Sequence, residues 1–279
     1  MFRRAGFSLV EVLLSLVVTL VVTGAIYSLL LTTQRVTRAQ AQQIGLQSTV
    51  RAGSFVVLSE LGELSTLSGG TPEQNDILAI TPSSLTYRAQ RGIGFICQAA
   101  SATELRLARS SFSGRRDPQA GRDEAYVFVP GNPGTVTGDS WVPLKITSVA
   151  VTAPCPGAQG PAITLTLSSS PSSALVEPGT PVRITELMEL RQYRAEGRSW
   201  LGARSVSSGE AIQPLLGPLS ETGGLELEYL DGTGAATTDK TGIKSIRVTL
   251  RGTAEAGGAD APADEELITQ VTLRNASAP

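Results

Sequence analysis

Histidine is absent from the 279 residues of this chain. The absence removes the commonest general base, the Ser-His and Cys-His pairs of nucleophilic enzymes, and all histidine-based metal sites. The chain also lacks a P-loop and the glycine-rich strand-turn-helix that binds dinucleotides. We therefore expect a protein that is not an enzyme and that needs no cofactor and no metal ion.

Charge is scarce as well, since charged residues make up 17% of the chain and the net charge is −2. A balance this close to neutral excludes a polycationic nucleic-acid binder and an acidic tail. The two cysteines, Cys97 and Cys155, are too few for a four-cysteine zinc site. In an oxidising compartment they favour a structural disulfide, and two unpaired buried thiols are the alternative.

What the chain does have is a long apolar segment near its N-terminus. The twenty residues Val12–Leu31 carry no charge, which at about 1.5 Å per residue is enough to cross a hydrocarbon layer of roughly 30 Å. Arg3 and Arg4 precede the segment and predict a cytoplasmic N-terminus, with the bulk of the chain on the opposite side. A cleaved signal peptide is the alternative, but the segment is long for one and no small-x-small cleavage site follows it.

One carboxylate, that of Glu11, stands at the start of this apolar segment. A charge at membrane depth costs about 2.5–3.5 kcal/mol, so an ionisable residue there is a candidate for function. A glutamate that snorkels to the headgroups is the alternative, because position 11 is close to the cytoplasmic face.

The residues around Glu11 are GFSLVE at positions 6–11, and with the long apolar helix that follows they resemble the processing site of type IV pilins and type II secretion pseudopilins. The resemblance implies that a prepilin peptidase cuts between Gly6 and Phe7 and N-methylates Phe7. It implies that residues 1–6 are a leader and that the helix stays on the mature protein. It also implies that Glu11 pairs with the N-terminal amine of a neighbouring subunit during assembly, which would offset part of the cost of burying either charge.

Beyond the apolar segment the spacing predicts that the helix continues, so that it spans residues 7–64. Apolar or small residues recur at steps of four and three, at Leu46, Val50, Gly53, Val57, Leu61 and Leu64. We expect this stripe to pack on a globular domain, and the Gly/Ser/Thr-rich residues 65–71 to end the helix. The predicted organisation is a transmembrane part over 7–31, a periplasmic continuation over 32–64 and a globular β-rich domain over 65–279.

After residue 75 the pattern changes to short runs rich in Val, Ile, Leu, Thr or Tyr, most of them bounded by turn residues. Nine such runs are predicted strands: Ser84–Ala89, Glu104–Arg109, Glu124–Val129, Lys145–Val151, Ala162–Leu167, Pro181–Arg194, Leu225–Leu230, Ile243–Leu250 and Leu267–Leu273. Gly114–Arg122, Gly157–Gly160 and Ala254–Asp264 are predicted loops. The expected fold class is α+β, with the long N-terminal helix packed on a mainly antiparallel β domain in a pilin-like arrangement.

The C-terminal third resembles the ending of W-type minor pilins and J-type minor pseudopilins. The residues that carry the resemblance are Leu225, Leu227, Tyr229, Asp231 and Gly232, followed by Leu273, Arg274 and Asn275. The resemblance implies a structural subunit that primes or caps assembly of a type IV pilus. Its implied partners are other minor and major pilins, the prepilin peptidase, the inner-membrane assembly platform and membrane lipid. Its implied location is the inner membrane, as a single-pass protein with a periplasmic domain, and then the filament.

Two alternative functions stay open at this point: a minor pseudopilin of a type II secretion system, or a DNA-binding or adhesive tip pilin in competence. The second depends on a cluster of arginines in a stretch whose only acids are Glu104 and Asp117. The cluster consists of Arg88, Arg91, Arg106, Arg109, Arg115, Arg116 and Arg122. On one face these side chains would form a positive field for DNA or another anionic ligand. The alternative interpretation is that these are ordinary solvated arginines, which strand alternation places on different faces.

Asp231-Gly-Thr-Gly, with Asp239 further on, has a superficial likeness to a calcium-binding loop. It lacks the alternating Asp or Asn ligands and the closing Glu of an EF-hand. We expect a hairpin turn built on Asp-Gly here, with calcium binding as the alternative.

Overall fold

The computed structural model describes residues 8–66, 75–131, 138–157, 160–171, 176–254 and 263–274. Within these ranges the chain forms one long helix and thirteen strands. The helix α1 is Leu9–Leu61, and the strands are β1 (Ile77–Thr81), β2 (Ser84–Ser101), β3 (Glu104–Ala108), β4 (Ser113–Gly114), β5 (Asp123–Val129), β6 (Ser140–Thr152), β7 (Ala162–Leu167), β8 (Pro181–Ala195), β9 (Arg198–Ser205), β10 (Gln213–Leu219), β11 (Leu225–Leu230), β12 (Ser245–Ala254) and β13 (Ala263–Thr272). The predicted α+β class is confirmed, because a long N-terminal helix precedes an antiparallel β domain. The predicted leader over 1–6 and the predicted cleavage pair, Gly6 and Phe7, lie outside the described residues.

α1 forms because its residues satisfy their own polar groups and supply no helix breaker. The helix contains no proline, and its hydroxyls bond back to the preceding turn, as that of Thr19 does to the carbonyl of Ser15 at 2.7 Å. It ends at Leu61, one residue before Gly62. The helix predicted over 7–64 is therefore confirmed over the described residues, with the small difference in its C-terminal boundary that helix ends usually show.

Only the C-terminal third of α1 is buried against the β domain. Every residue from Leu9 to Gly45 is exposed. The predicted apolar stripe is buried as expected, at Leu46, Val50, Gly53, Val57, Leu61 and Leu64. The buried part of α1 packs mainly against β12 and β13, and also meets β10. Burial of a large apolar side chain stabilises by roughly 1.5–3 kcal/mol, so a stripe of this length can hold the helix on the sheet.

The β domain has two hydrophobic cores, and the first lies beneath α1. It is lined by β1, the N-terminal half of β2, the C-terminal half of β8, and β9 to β13. Two glycines allow the helix and strands to approach closely. A Cβ atom on Gly53 of α1 would overlap the side chain of Leu216 in β10, and one on Gly252 of β12 would lie 2.9 Å from Val50 Cγ2.

The second core fills a ring of six strands. β2 pairs with β8 through Ser84–Phe95 and with β3 from Ile96 onward, so the order β2-β3-β7-β6-β5-β8 returns to its start. Leu107, Ile163 and Leu165 are among the side chains buried inside the ring. β2 and β8 carry residues of both cores, and these two long strands therefore join the ring to the part of the sheet that binds α1.

Each predicted strand overlaps an observed one, but β1, β4, β9 and β10 were not predicted, and β2 extends far beyond its predicted end at Ala89. β9 was not predicted because its apolar and polar residues do not alternate regularly and because it contains Gly202. A Cβ atom on Gly202 would lie 2.5 Å from Cε1 of Tyr193. β10 contains Pro214 and Pro218, which argue against a strand, and its pairing with β9 is irregular.

We predict that Leu61→Ala lowers the free energy of unfolding of the full-length protein in detergent micelles by about 2–5 kcal/mol, because truncating a buried leucine leaves a cavity. Phe55→Ala is the matched control, since Phe55 is 71% exposed on the opposite face of the same helix. It should change the free energy of unfolding by less than about 0.5 kcal/mol. Denaturant unfolding followed by tryptophan fluorescence measures both, and equal effects would show that α1 does not pack through this stripe.

Candidate functional site

The start of α1 is organised by two side chains, those of Ser8 and Glu11. Ser8 Oγ accepts a hydrogen bond from the N–H of Val10 at 3.2 Å, and the N–H of Ser8 donates to Glu11 Oε2 at 3.2 Å. This arrangement is a capping box, in which side chains supply partners for backbone donors that the first helical turn leaves open. Glu11 is thereby held at the positive end of the helix dipole, where a carboxylate is favoured.

Glu11 is singled out by its charge in the sequence, whereas Ser8 is not. The signal for Ser8 was nevertheless present, because Ser8 and Glu11 have the Ser-x-x-Glu spacing of a capping box directly before an apolar run. The structure adds that the Glu11 carboxylate has a hydrogen-bond partner in its own helix.

The part of α1 from Leu9 to Gly45 stands clear of the β domain. These 37 residues extend for about 55 Å at 1.5 Å per residue, and all of them are exposed. Within the described chain, α1 is the one helix long and apolar enough to cross a membrane. Its segment Val12–Leu31 is predominantly apolar and uncharged. Such a surface is unfavourable in water, so it calls for lipid or another protein to cover it.

The C-terminal end of α1 is tied to the β domain by ion pairs as well as by apolar contacts. Glu60, in the last turn of α1, lies 2.6 Å from Arg115 Nη1 and 3.3 Å from Arg91 Nη1. Arg91 belongs to β2, and its Nε lies 2.7 Å from Glu186 of β8. One arginine therefore links the helix to a carboxylate inside the sheet.

Glu186 is the centre of this ion-pair network. Its side chain is 2% exposed, and its carboxylate lies within 3.3 Å of three guanidinium groups, those of Arg91, Arg116 and Arg122. Burial by itself would raise the pKa of Glu186, but hydrogen bonds from Arg91 and Ser205 and the charges of Arg91 and Arg122 outweigh it and hold the pKa below its ordinary value. Multiple cations around one buried carboxylate offset the desolvation that a lone charge would suffer.

The seven arginines of the predicted anionic-ligand patch all contact acceptors of this same chain. Arg91, Arg115, Arg116 and Arg122 belong to the network around Glu60 and Glu186, whose further acids are Glu63, Asp123 and Glu210. Arg88 contacts Glu124 and the carbonyl of Asn75, Arg109 pairs with Asp117, and Arg106 donates to Gln98 and to the carbonyl of Ala153.

These contacts were hidden from the sequence because most of the carboxylates lie far along the chain from their arginines. Arg91 and Glu186, for example, are 95 positions apart. Paired carboxylates weaken the positive field that an anionic ligand would meet. Binding of DNA by this segment stays a prediction, and the contacts seen here are those of a structural network.

Cys97 and Cys155 come together at the ring of six strands. Cys97 belongs to β2 and Cys155 follows β6, and the structure joins them in a disulfide with their Cα atoms 6.0 Å apart. Arg106, on the neighbouring β3, holds the same loop by donating a hydrogen bond to the carbonyl of Ala153. The cross-link closes a loop of 58 positions and so restricts the unfolded chain.

Four of the C-terminal residues on which the predicted likeness to minor pilins depends, Leu225, Leu227, Tyr229 and Leu273, belong to the first core, and Arg274 lies against the end of α1. Leu225, Leu227 and Tyr229 are buried on β11, and the Tyr229 hydroxyl lies 3.1 Å from the carbonyl oxygens at both ends of the β1–β2 turn. The N–H of Arg274 donates to the carbonyl of Gly62 at 3.2 Å. These residues therefore support the surface on which the helix sits, while Asn275 lies outside the described residues.

Asp231 forms the predicted turn after β11. Its Oδ1 accepts hydrogen bonds from the N–H and the hydroxyl of Thr233 at 2.8 and 2.7 Å and from the N–H of Ala235 at 3.0 Å. Asp239 caps a second turn by accepting from Thr241. Among the described residues there is no group of three or more His, Cys, Asp or Glu side chains arranged to hold a metal ion.

Residues 1–27 match the family profile described as the prokaryotic N-terminal methylation motif. This motif is the signature of type IV pilins and pseudopilins, and in this chain it includes the capping box and the first part of α1. Searches of curated proteins and of solved structures found no match. The chain thus carries a pilin-type N-terminal signature on a long apolar helix that leads into an antiparallel β domain.

We predict that Glu186→Gln lowers the free energy of unfolding at neutral pH by about 3 kcal/mol, since loss of one member of a buried ion-pair network leaves the others uncompensated. The folded-state pKa of Glu186 lies below the ordinary value of 4.5. Its carboxylate therefore contributes stability above pH 4.5 and loses that contribution as the pH falls through the folded-state pKa. Thermal unfolding should show the difference between wild type and variant shrinking below that pH.

Glu221→Gln is the matched control for Glu186→Gln, because Glu221 forms an exposed pair with Arg194. Exposed pairs contribute little, so this variant should unfold like the wild type at every pH. A Glu186→Gln protein as stable as the Glu221→Gln protein would show that the network does not stabilise the folded protein.

For the disulfide, we predict that Cys97→Ser combined with Cys155→Ser lowers the free energy of unfolding by about 4 kcal/mol, because the unfolded chain regains the conformational entropy that closing a loop of this length removes. Reductant should lower the stability of the wild type to that of the double variant and leave the double variant unchanged. Two free thiols in the oxidised wild-type protein, titrated after unfolding, would contradict the pairing.

Proposed function

We propose that this chain is a minor pilin-type subunit that is inserted in the inner membrane through α1 and joins a type IV filament after removal of residues 1–6. The observation that carries the proposal is the continuity of the methylation motif at 1–27 with a helix that leaves Leu9–Gly45 clear of the β domain. A removable signal peptide would end before the folded domain. Here one unbroken helix runs from the motif into the first core.

The proposed orientation places residues 1–6 in the cytoplasm and the β domain in the periplasm. Arg3 and Arg4 on the N-terminal side of the apolar segment support it, because positive residues are retained on the cytoplasmic side. The disulfide between Cys97 and Cys155 also supports it, because such bonds persist in oxidising compartments.

For Glu11 we propose exchange between two partners. In the subunit before assembly, the Glu11 carboxylate accepts from the N–H of Ser8 in its own capping box. Cleavage after Gly6 would create a charged amine on Phe7 of every subunit, and the amine of a neighbour would then take the carboxylate as its counter-ion. Two opposite charges that meet away from water stabilise each other more than they would in solvent.

The proposed work is structural: priming or capping filament assembly together with other minor and major pilins, the prepilin peptidase and the assembly platform. The likeness of the C-terminal residues to those of W-type pilins and J-type pseudopilins supports a minor component, and the apolar ones among them belong to the core beneath α1. We assign the subunit to a type IV pilus. A deletion strain that keeps its pili and loses protein secretion would assign it to a secretion pseudopilus instead.

The test uses Glu11→Gln, which keeps the capping box because glutamine also serves at that position, but removes the charge. We predict that this variant inserts in the membrane and is processed, yet its amount in the sheared filament fraction falls about tenfold or more, a factor that corresponds to about 1.4 kcal/mol. Immunoblots of membrane and filament fractions measure both amounts.

Ser8→Ala is the matched control, because it removes the N-cap hydroxyl and retains the Glu11 charge. It should cost about 1 kcal/mol of helix stability and leave incorporation into filaments largely intact. A Glu11→Gln variant that assembles normally, or a Ser8→Ala variant that fails equally, would contradict the proposed charge pair.

A further inference from the structure

The arginines of α1 differ from most of those of the β domain in that they have no carboxylate within reach. Between Glu11 and Glu60 the helix contains no acidic residue, yet it carries Arg51 and, closer to the apolar segment, the pair Arg35 and Arg38. In the part of the chain that the structure describes, neither forms an ion pair or a side-chain hydrogen bond, whereas each cation around Glu186 has a carboxylate partner. Two adjacent unneutralised cations on an exposed helix point to an anionic partner outside the chain.

The acidic residues of α1 itself lie too far away to neutralise this pair. Glu60 is 22 residues beyond Arg38, or about 33 Å along the helix, and Glu11 is about 36 Å before Arg35. The hydroxyls of Thr32, Thr33 and Thr37 already donate to carbonyls one turn earlier. They are therefore not free to donate to an anion that the two arginines bind.

The depth of the pair identifies the partner. Arg35 and Arg38 follow Leu31, the last residue of the apolar segment, by four and seven residues, or about 6 and 10 Å along the helix. The polar headgroup layer begins where the hydrocarbon ends and is roughly 5–7 Å deep. Helical side chains lean toward the N-terminus, which here is toward the membrane, so both guanidinium groups can reach the phosphates.

The spacing also suits one phosphate. Residues three apart lie on the same face of a helix, and the guanidinium group is the side chain best matched to phosphate oxygens. On the basis of the membrane insertion proposed above, we propose that Arg35 and Arg38 form a binding site for the phosphate groups of anionic lipids in the outer leaflet of the inner membrane. The pair fixes the depth of the helix before assembly, and extraction into a filament must break its contacts.

The test uses the full-length protein reconstituted in phosphatidylcholine vesicles that contain a trace of spin-labelled phosphatidylglycerol or spin-labelled phosphatidylcholine. Electron paramagnetic resonance then reports the fraction of each lipid held at the protein surface. The wild type should favour phosphatidylglycerol by roughly fivefold for each arginine contact, and added salt should weaken the preference. Arg35→Gln combined with Arg38→Gln should make the held fractions of phosphatidylglycerol and phosphatidylcholine nearly equal. Glutamine is chosen because it preserves the helix.

Arg51→Gln is the matched control, because Arg51 is an exposed arginine of α1 about 30 Å beyond Leu31. It should leave the preference unchanged. Equal preferences in the wild type and the double variant, or an equal loss in Arg51→Gln, would overturn the site.

Adding inorganic phosphate or chloride at equal ionic strength distinguishes a lipid phosphate from a soluble phosphate as the ligand of the pair. Equal weakening by both salts supports a site for membrane phosphates, whereas stronger displacement by phosphate would assign the pair to a soluble ligand and overturn the lipid site. If the wild type holds both lipids equally, the result would contradict the proposed arginine site but not the membrane insertion of α1. The absence of held lipid of either kind would contradict the insertion of α1 as well.

Discussion

The packing of α1 between Leu46 and Leu61 on β12 and β13 is the interaction on which the rest of the structure depends. Through this contact a helix of 53 residues is held at one end only. Close approach at Gly53 and Gly252 brings helix and sheet together, and the ion pairs of Glu60 fix the last turn. The remaining two thirds of the helix project from the domain, and they are predominantly apolar as far as Leu31.

This division gives the two parts of the molecule different tasks. In the β domain the apolar side chains are buried in two cores, and arginines that could have formed an exposed cationic face are paired with carboxylates around Glu186. The projecting part of α1 does the reverse, since it exposes apolar side chains and leaves Arg35 and Arg38 without partners in the described chain. A molecule built this way is stable as a domain but needs a membrane or other subunits around its helix.

The helix and its buried stripe could be predicted because both follow from short-range spacing. The step of four and three from Leu46 to Leu61 specifies one face, and no distant residue is needed to interpret it. The class of the β domain followed from alternation in runs such as Leu225–Leu230. β10 could not be found in this way, because its two prolines argue against a strand and it is held by its neighbours.

Prediction of the functional site from the sequence was limited in the same way. Glu11 was evident as a charge beside an apolar run, whereas the role of the arginines depended on carboxylates up to 95 positions away. No local pattern reports such a pairing, so the stretch from Arg88 to Arg122 looked more cationic than it is in the folded chain. Local rules therefore predict elements and caps, while the electrostatics of a site require the pairing of strands.

We propose that α1 stays on the mature protein and that the mature chain begins at Phe7. Intact-mass and N-terminal peptide mass spectrometry of the protein purified from membranes tests it most directly. We expect a chain that lacks residues 1–6 and starts with an N-methylated Phe7. A chain that begins after the apolar segment, or one that still begins at Met1, would contradict it.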